Sequence, residues 1–357
     1  MFNTRIPRLV FEYHSIDEKI DISIVVPIFN QEKMIGEVIQ RILRNTVMNF
    51  EIILIDDGST DLTLEAITNF FTPDNMRNFP NLKSIRVYRN RVSKFETHCD
   101  HFGISVSRSN YCLEIQADML LNDPGFDGRM FEAMQLHSDC VAISGRGIEK
   151  LGPIVTSYER TLGSDRSSGR TLTSHIILRA GYQIKHRTKK IMFNHEVLHA
   201  RDAKLAKQVF QGDADAQFLE TGCAGRLGMA MEHVVPNHLL NERKLYVGQS
   251  IMRGPILFNR EWFLEIGGLR PEAYFQGYDD HDFCARTNLK GKFVGYTPVA
   301  FTSPLEIGST RKPRSFSSEL LIISNLIRIR KGRSLSALNA QNLAVIDLVH
   351  TNSILYF

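Results

Sequence analysis

Apolar residues in this chain alternate between short continuous runs and stretches where they recur every three or four positions. Residues 22–28 form one such run, rich in β-branched side chains and without polar alternation, which predicts a strand buried on both faces and ending near Pro27. Over residues 32–44, Ile35, Val38, Ile39 and Ile42 keep helical spacing. Residues 51–55 predict a second buried strand. The turn Asp56-Asp57-Gly58-Ser59-Thr60-Asp61 follows it, with Ser59 or Thr60 as N-cap of a helix running to about Phe71. Residues 84–88 read as a third strand, 94–107 as helix and 111–115 as a fourth strand. Strands alternating with helices of this length predict an α/β fold: a Rossmann-like, mostly parallel sheet with helices on both faces.

The pattern fades over residues 145–247, which hold a Gly/Ser/Arg-rich piece at 163–170, a basic cluster at 185–190 and the glycine-rich 221–228. Order returns with an apolar run at 251–258, a helix at 260–266 ended by Gly267-Gly268, a helix at 279–288 and a strand at 293–296. Residues 1–20 lack a clear period and read as an arm. In the tail, Leu321, Ile322, Leu326 and Ile329 line one side of a basic helix spanning about 317–329. That stripe is expected to pack on the core or against a second copy of the chain; an anionic membrane surface is the alternative.

Composition narrows the function classes. Lys plus Arg number 43 against 39 Asp plus Glu in 357 residues, too slight a surplus for a dedicated nucleic-acid binder. The five cysteines are scattered, with no CxxC pair, which argues against a zinc site or disulfide framework and for a reduced, cytoplasmic setting. No apolar run is long enough to span a bilayer. Neither GxGxxG after the first strand nor GxxxxGK[ST] occurs, so any nucleotide is held by other means. In an open parallel sheet, ligands sit at the carboxyl ends of the strands. The turn 27–30, the pair Asp56-Asp57 and Gln116-Ala117-Asp118 all fall there. A second acidic group, Asp279-Asp280-His281-Asp282, opens the helix at 279–288; carboxylates so close together repel one another and make sense where a cation is held or a proton moved.

The strings 22–30 (ISIVVPIFN) and 53–61 (ILIDDGSTD), at this separation, resemble the opening of glycosyltransferase family 2. Likeness is close over residues 21–120, good over 248–312 and slight over 145–247. It implies a GT-A fold over 21–312, with a nucleotide-binding half at 21–120 and an acceptor half, including an acceptor-side extension, at 121–312, followed by a helical tail at 313–357. The implied activity is inverting transfer from a nucleotide sugar, usually a UDP-sugar, to a carbohydrate or lipid-linked acceptor, assisted by Mn²⁺ or Mg²⁺. Carried over by position, Pro27 and Phe29 line the base and ribose pocket beside Asn30. Asp57 contacts the base, with Asp56 next to it. A carboxylate accepting the uracil N3–H selects a base in a way that an apolar slot does not. Asp118 matches the metal-binding end of the family's D-x-D motif, whereas Gln116 stands in place of its first aspartate, separated by Ala117. Glu114, on the same strand face as Gln116, adds a further charge. Asp280 matches the catalytic base, and Asp279 orients that base or the acceptor. Arg311 and Lys312, with Arg314, are expected to clamp the diphosphate. The rival expectations are a degenerate homologue that binds without turnover and a nucleotidyltransferase; the latter wants a basic glycine-rich loop after strand one, which 27–31 lacks.

Overall fold

The computed structural model describes residues 6–14, 19–149, 232–233, 241, 243–248, 250–251, 253–274, 277–302, 320–321, 323–325, 327–328 and 354–357. The segment 145–247 therefore lies mostly outside the described residues, as do the basic clusters at 185–190 and 311–314.

The first part of the chain alternates strand and helix: β1 (Arg8–His14), β2 (Ile22–Ile28), α1 (Ile35–Asn45), β3 (Phe50–Asp56), α2 (Thr63–Phe70), α3 (Pro73–Arg77), β4 (Leu82–Arg89), α4 (Glu96–Val106) and β5 (Tyr111–Glu114). The chain continues through β6 (Leu120–Leu121), α5 (Phe126–Leu136), β7 (Cys140–Ser144), β8 (Ile148–Glu149), β9 (Glu232–His233), β10 (Lys244–Gly248), β11 (Ser250–Ile251) and β12 (Ile256–Asn259). Helix α6 (Arg260–Ile266), helix α7 (Asp279–Leu289), β13 (Phe293–Tyr296), β14 (Phe301–Thr302) and β15 (Ile354–Tyr356) complete it.

Ten strands form one sheet in the order β1-β4-β3-β2-β5-β12-β7-β13-β10-β15. The block β4-β3-β2-β5 is parallel, so its carboxyl ends share one edge. Strand β12 runs antiparallel to both neighbours and joins this block to β7 and β13, which are parallel to each other. Every residue of β2 and β3 is buried, because helices cover both faces.

Three boundaries differ from expectation. The arm contains a strand: β1 pairs antiparallel with β4 as a largely exposed edge, which carries no buried-strand signature. The run 251–258 is two strands, broken at Arg253-Gly254-Pro255. Helix α2 starts at Thr63 with Leu62 as N-cap, and Asp61 Oδ1 accepts from the Thr63 N–H at 3.1 Å and hydroxyl at 2.5 Å. Ser59 and Thr60, predicted as caps, instead bind Asn30 across the strand ends.

Helix α4 lies directly on β2 and β3 through Gly103. A Cβ there would stand 2.3 Å from Val25 Cγ1 and 2.8 Å from Ile55 Cδ1, both on buried β-branched side chains with no room to move. Gly103→Ala is therefore expected to cost about 1–3 kcal/mol, read as a lower urea midpoint with an unchanged slope. A variant as stable as the parent would show that α4 can lift off the sheet. Behind α4, Glu51 is fully buried and holds Arg86 at 2.7 Å, the Ser23 hydroxyl at 2.6 Å and the Arg108 N–H at 2.7 Å. These contacts satisfy a charge that would otherwise be prohibitive inside a sheet.

Candidate active site

The carboxyl edge of β2, β3 and β5 gathers three loops. After β2, Phe29 is about half exposed and Asn30 has φ 51°. The Asn30 N–H donates to Ser59 Oγ at 2.9 Å, and its Oδ1 accepts from the Thr60 N–H at 2.9 Å, which fastens this loop to the turn after β3. Pro27 is buried within β2.

Asp56 and Asp57 are both buried. Asp56 Oδ1 accepts from the Ser59 N–H at 2.9 Å, and Oδ2 lies 3.3 Å from the Arg89 guanidinium. Both oxygens of Asp57 are engaged. Its Oδ1 accepts from Asn90 Nδ2 and the Lys94 N–H at 2.8 Å each, and its Oδ2 from the Ser93 hydroxyl at 2.6 Å and the Phe95 N–H at 2.8 Å. Four donors use the lone pairs of this carboxylate. Asp57 therefore builds the 90–95 loop, and in this arrangement it has no acceptor left for a base.

That loop matters because it delivers α4. Phe95, the residue before the helix, has φ 76° and ψ 159°, a region that costs a non-glycine residue about 1–3 kcal/mol. The Phe95 N–H held by Asp57 keeps this turn in place and sets Glu96 at the first position of α4. Among the described residues, non-glycine positive φ occurs at Asn30, Phe95 and Tyr278, and all three border this region.

After β5, Gln116 and Asp118 are partly exposed, whereas the Ala117 side chain is 6% exposed and packs in the core. Ala117, expected at the nucleotide, presents at most its backbone there. Gln116 Nε2 donates to Glu96 Oε1 at 2.5 Å. Glu96 Oε1 is also 3.4 Å from Arg253 Nη1. Arg253 pairs in addition with Asp100 through Nη1 and with Asp279 through Nη2. Asp279 Oδ2 further accepts from the Thr97 hydroxyl at 3.1 Å. One polar chain thus runs from the Gln116 turn through Glu96 and Arg253 to the start of α7, joining two stretches about 160 residues apart in sequence. Glu96, Asp100 and Arg253 escaped prediction as site residues. Acids on a helix read as a solvated face, and 251–258 read as one apolar run, so neither drew attention.

The three carboxylates that open α7 separate by their partners. Asp279 is buried and committed to Arg253 and Thr97. Asp282 accepts from Arg286 Nε at 2.8 Å, and Arg286 also donates to the carbonyls of Ile266 and Gly268 at 2.5 and 2.6 Å, tying α7 to the end of α6. Asp280 is partly exposed; its Oδ1 accepts from the His281 N–H at 2.8 Å and, among the described residues, its Oδ2 has no hydrogen-bond donor. Burial pushes the Asp280 carboxyl above its ordinary range, with the neighbouring Asp279 adding to the rise and His281 opposing it. His281 Nδ1 lies 2.7 Å from Ser250 Oγ. From the C-terminal segment, Asn325 Nδ2 donates to the Gly277 carbonyl at 3.0 Å and the Arg328 guanidinium sits 5.7 Å from the Tyr274 ring centre, against the turn that precedes α7. Arg311 and Lys312 lie outside the described residues.

A parallel block with polar loops gathered at its carboxyl ends is the layout of α/β proteins that bind ligands at the strand edge. The family model for glycosyl transferase family 2 matches residues 23–202, half of the chain, and the chain belongs to that family, with the GT-A type of α/β fold. Glycosyltransferase GlyG of Streptococcus pneumoniae is 34% identical over 102 residues, which cover 29% of this chain and 31% of that protein. A dodecaprenyl-phosphate galacturonate synthase of Rhizobium johnstonii is 31% identical over 110 residues, covering 30% of each. The chain thus spans about a third of the length of these curated relatives. Among solved structures, Staphylococcus aureus TarS 1–349 in complex with UDP is 13% identical, with TM-score 0.48 and coverage of 93% of this chain and 70% of that one. Mannosyltransferase PcManGT from Pyrobaculum calidifontis, in complex with GDP-Man and Mn²⁺, is 12% identical, with TM-score 0.45 and coverage of 94% and 77%. Among the described residues no helix is long and apolar enough to cross a membrane.

Proposed function

We propose that this chain transfers a sugar, with inversion, from a nucleotide sugar of the UDP class to a hydroxyl of a glycan, lipid-linked glycan or polysaccharide. The observation that carries the reading is the sorting of carboxylates at α7. Asp279 and Asp282 are ion-paired with arginines, whereas Asp280, at the partly exposed helix start, makes no ion pair among the described residues and has only the His281 N–H as a donor. In this reading Asp280 takes the proton of the acceptor hydroxyl as its oxygen attacks the anomeric carbon, while the bond to the nucleoside diphosphate breaks on the opposite face. Asp279, fixed by Arg253, orients the helix start that presents Asp280.

On the donor side, Phe29 and Asn30 border the base and ribose, and the loop that Asp57 organises closes the far wall. The donors at Gln116–Asp118 are oxygens, which suit a hard divalent cation, but only one of them is a carboxylate. Asp118, together with diphosphate oxygens, would hold that cation. When bound, it would offset charge developing on the leaving group. Arg311 and Lys312 are proposed to act on the same diphosphate.

The test is a panel of UDP-, GDP-, dTDP- and CMP-sugars with and without Mn²⁺, followed by thermal melting and by release of free nucleotide. One donor class is expected to stabilise the fold, by about 2.7 kcal/mol at a hundredfold excess over its Kd, and to be hydrolysed slowly. Stabilisation without turnover, even with acceptors supplied, would identify a binding homologue in which Gln116 marks the lost activity. No stabilisation by any member would remove the reading altogether.

A further inference from the structure

Behind the Gln116 turn lies a group of carboxylates that donor binding and proton transfer leave unexplained. Glu96 and Asp100 stand on α4, and Glu114 ends β5. One oxygen from each lies within 4.8 Å of the others. Asp100 and Glu114 are 0% and 1% exposed. Both Glu114 oxygens and Asp100 Oδ1 have no hydrogen-bond partner. Buried carboxylate oxygens are almost always satisfied, and three orphans in one place point to a missing ligand.

Charge leads to the same conclusion. With Asp279, four carboxylates surround the single guanidinium of Arg253, so the formal sum is −4 + 1 = −3. Arg253 binds Asp100 through Oδ2 and reaches Glu96 and Asp279, but it does not bond Glu114 or Asp100 Oδ1. The orphaned oxygens are therefore those the guanidinium leaves uncovered. All are hard donors, the set preferred by Mg²⁺ and Mn²⁺.

We propose that Glu96, Asp100 and Glu114 bind a divalent cation in the absence of nucleotide, at a site separate from the one Asp118 would complete with a diphosphate. Such an ion brings the cluster from −3 to −1. It also holds α4 against β5 beneath Gln116, whose amide is anchored on Glu96. The metal motif that lacks its first carboxylate would then rest on a second cation site just behind it. This inference does not depend on the transfer reading.

The test uses the full chain, stripped with chelator and titrated with Mn²⁺ alone, followed by calorimetry and by the loss of free-Mn²⁺ paramagnetic resonance. The expected result is one Mn²⁺ bound by the parent. Affinity falls at least about tenfold in Glu114→Gln and in Glu96→Gln, and Asp118→Asn stays within about twofold of the parent. Glu96 is partly exposed, so its variant keeps the test open should Glu114→Gln fail to fold; circular dichroism checks both. No uptake by the parent up to millimolar Mn²⁺ would overturn the proposal. Parent-like uptake by a folded Glu96→Gln would overturn it too, as would loss of uptake in Asp118→Asn alone. Failure of the donor panel with this titration intact would count against the transfer reading and leave the cation site standing.

Discussion

Asp280→Asn is expected to abolish sugar transfer while nucleotide binding stays within about twofold of the parent. A positioned base contributes roughly 10²- to 10⁴-fold to the attack of a hydroxyl, and Asn has no basic oxygen to replace it. The substitution keeps the size and the helix-start geometry, because the Oδ1 contact to the His281 N–H needs only an acceptor, which an amide oxygen supplies. pH offers a second readout. A base works only when deprotonated, and burial raises the Asp280 carboxyl above its ordinary 3.8. Transfer should therefore fall as pH drops through a limb displaced above the usual carboxylate range, and the residual rate of Asp280→Asn should lack that limb. Asp282→Asn is the control: it loses part of the Arg286 anchor and is expected to lower stability more than turnover. Near-parental transfer by Asp280→Asn would end the assignment and turn attention to Asp279.

The sequence made the parallel block legible because β2 and β3 are buried on both faces and therefore carry uninterrupted β-branched runs. It concealed β1, an exposed edge strand with no burial to leave a pattern. The break at Arg253–Pro255 was similarly hidden, since apolar residues continue on both sides of it. At the site, local strings drew attention to Asp56-Asp57 and Asp279-Asp280 but not to the four donors that hold Asp57. Its role depends on backbone N–H groups of Lys94 and Phe95, more than thirty residues away, and backbone donors have no residue signature. The company that Glu96 and Asp100 keep with Glu114 was hidden for a related reason. An acid on a helix looks like part of a solvated face until the fold shows, as for Asp100, that it is turned inward.

Arg253→Gln is expected to destabilise the fold, and by more at alkaline than at acid pH. Removing one partner of a buried ion pair leaves uncompensated charge and costs about 3–5 kcal/mol. Here the loss strands Asp100 and Asp279, with Glu96 close by. The pH sense follows from Asp100, whose carboxyl is pushed by burial from 3.8 to about 7, with Arg253 pulling it down and Glu96 and Asp279 pushing it up. Because the folded value lies above the unfolded one, this group's contribution is fully present below about 4 and is lost as pH rises towards about 7. Without Arg253 the folded value climbs further, so the loss deepens and extends to higher pH. Urea unfolding at pH 5 and pH 8 checks this. The gap between parent and variant should be smaller at pH 5, where Asp100 is protonated, and approach the full 3–5 kcal/mol at pH 8. Arg253→Lys should lie between them, since it keeps the charge but cannot fork to Asp100 and Asp279 together. An equal gap at both pH values would mean that the protonation of Asp100 is not coupled to Arg253.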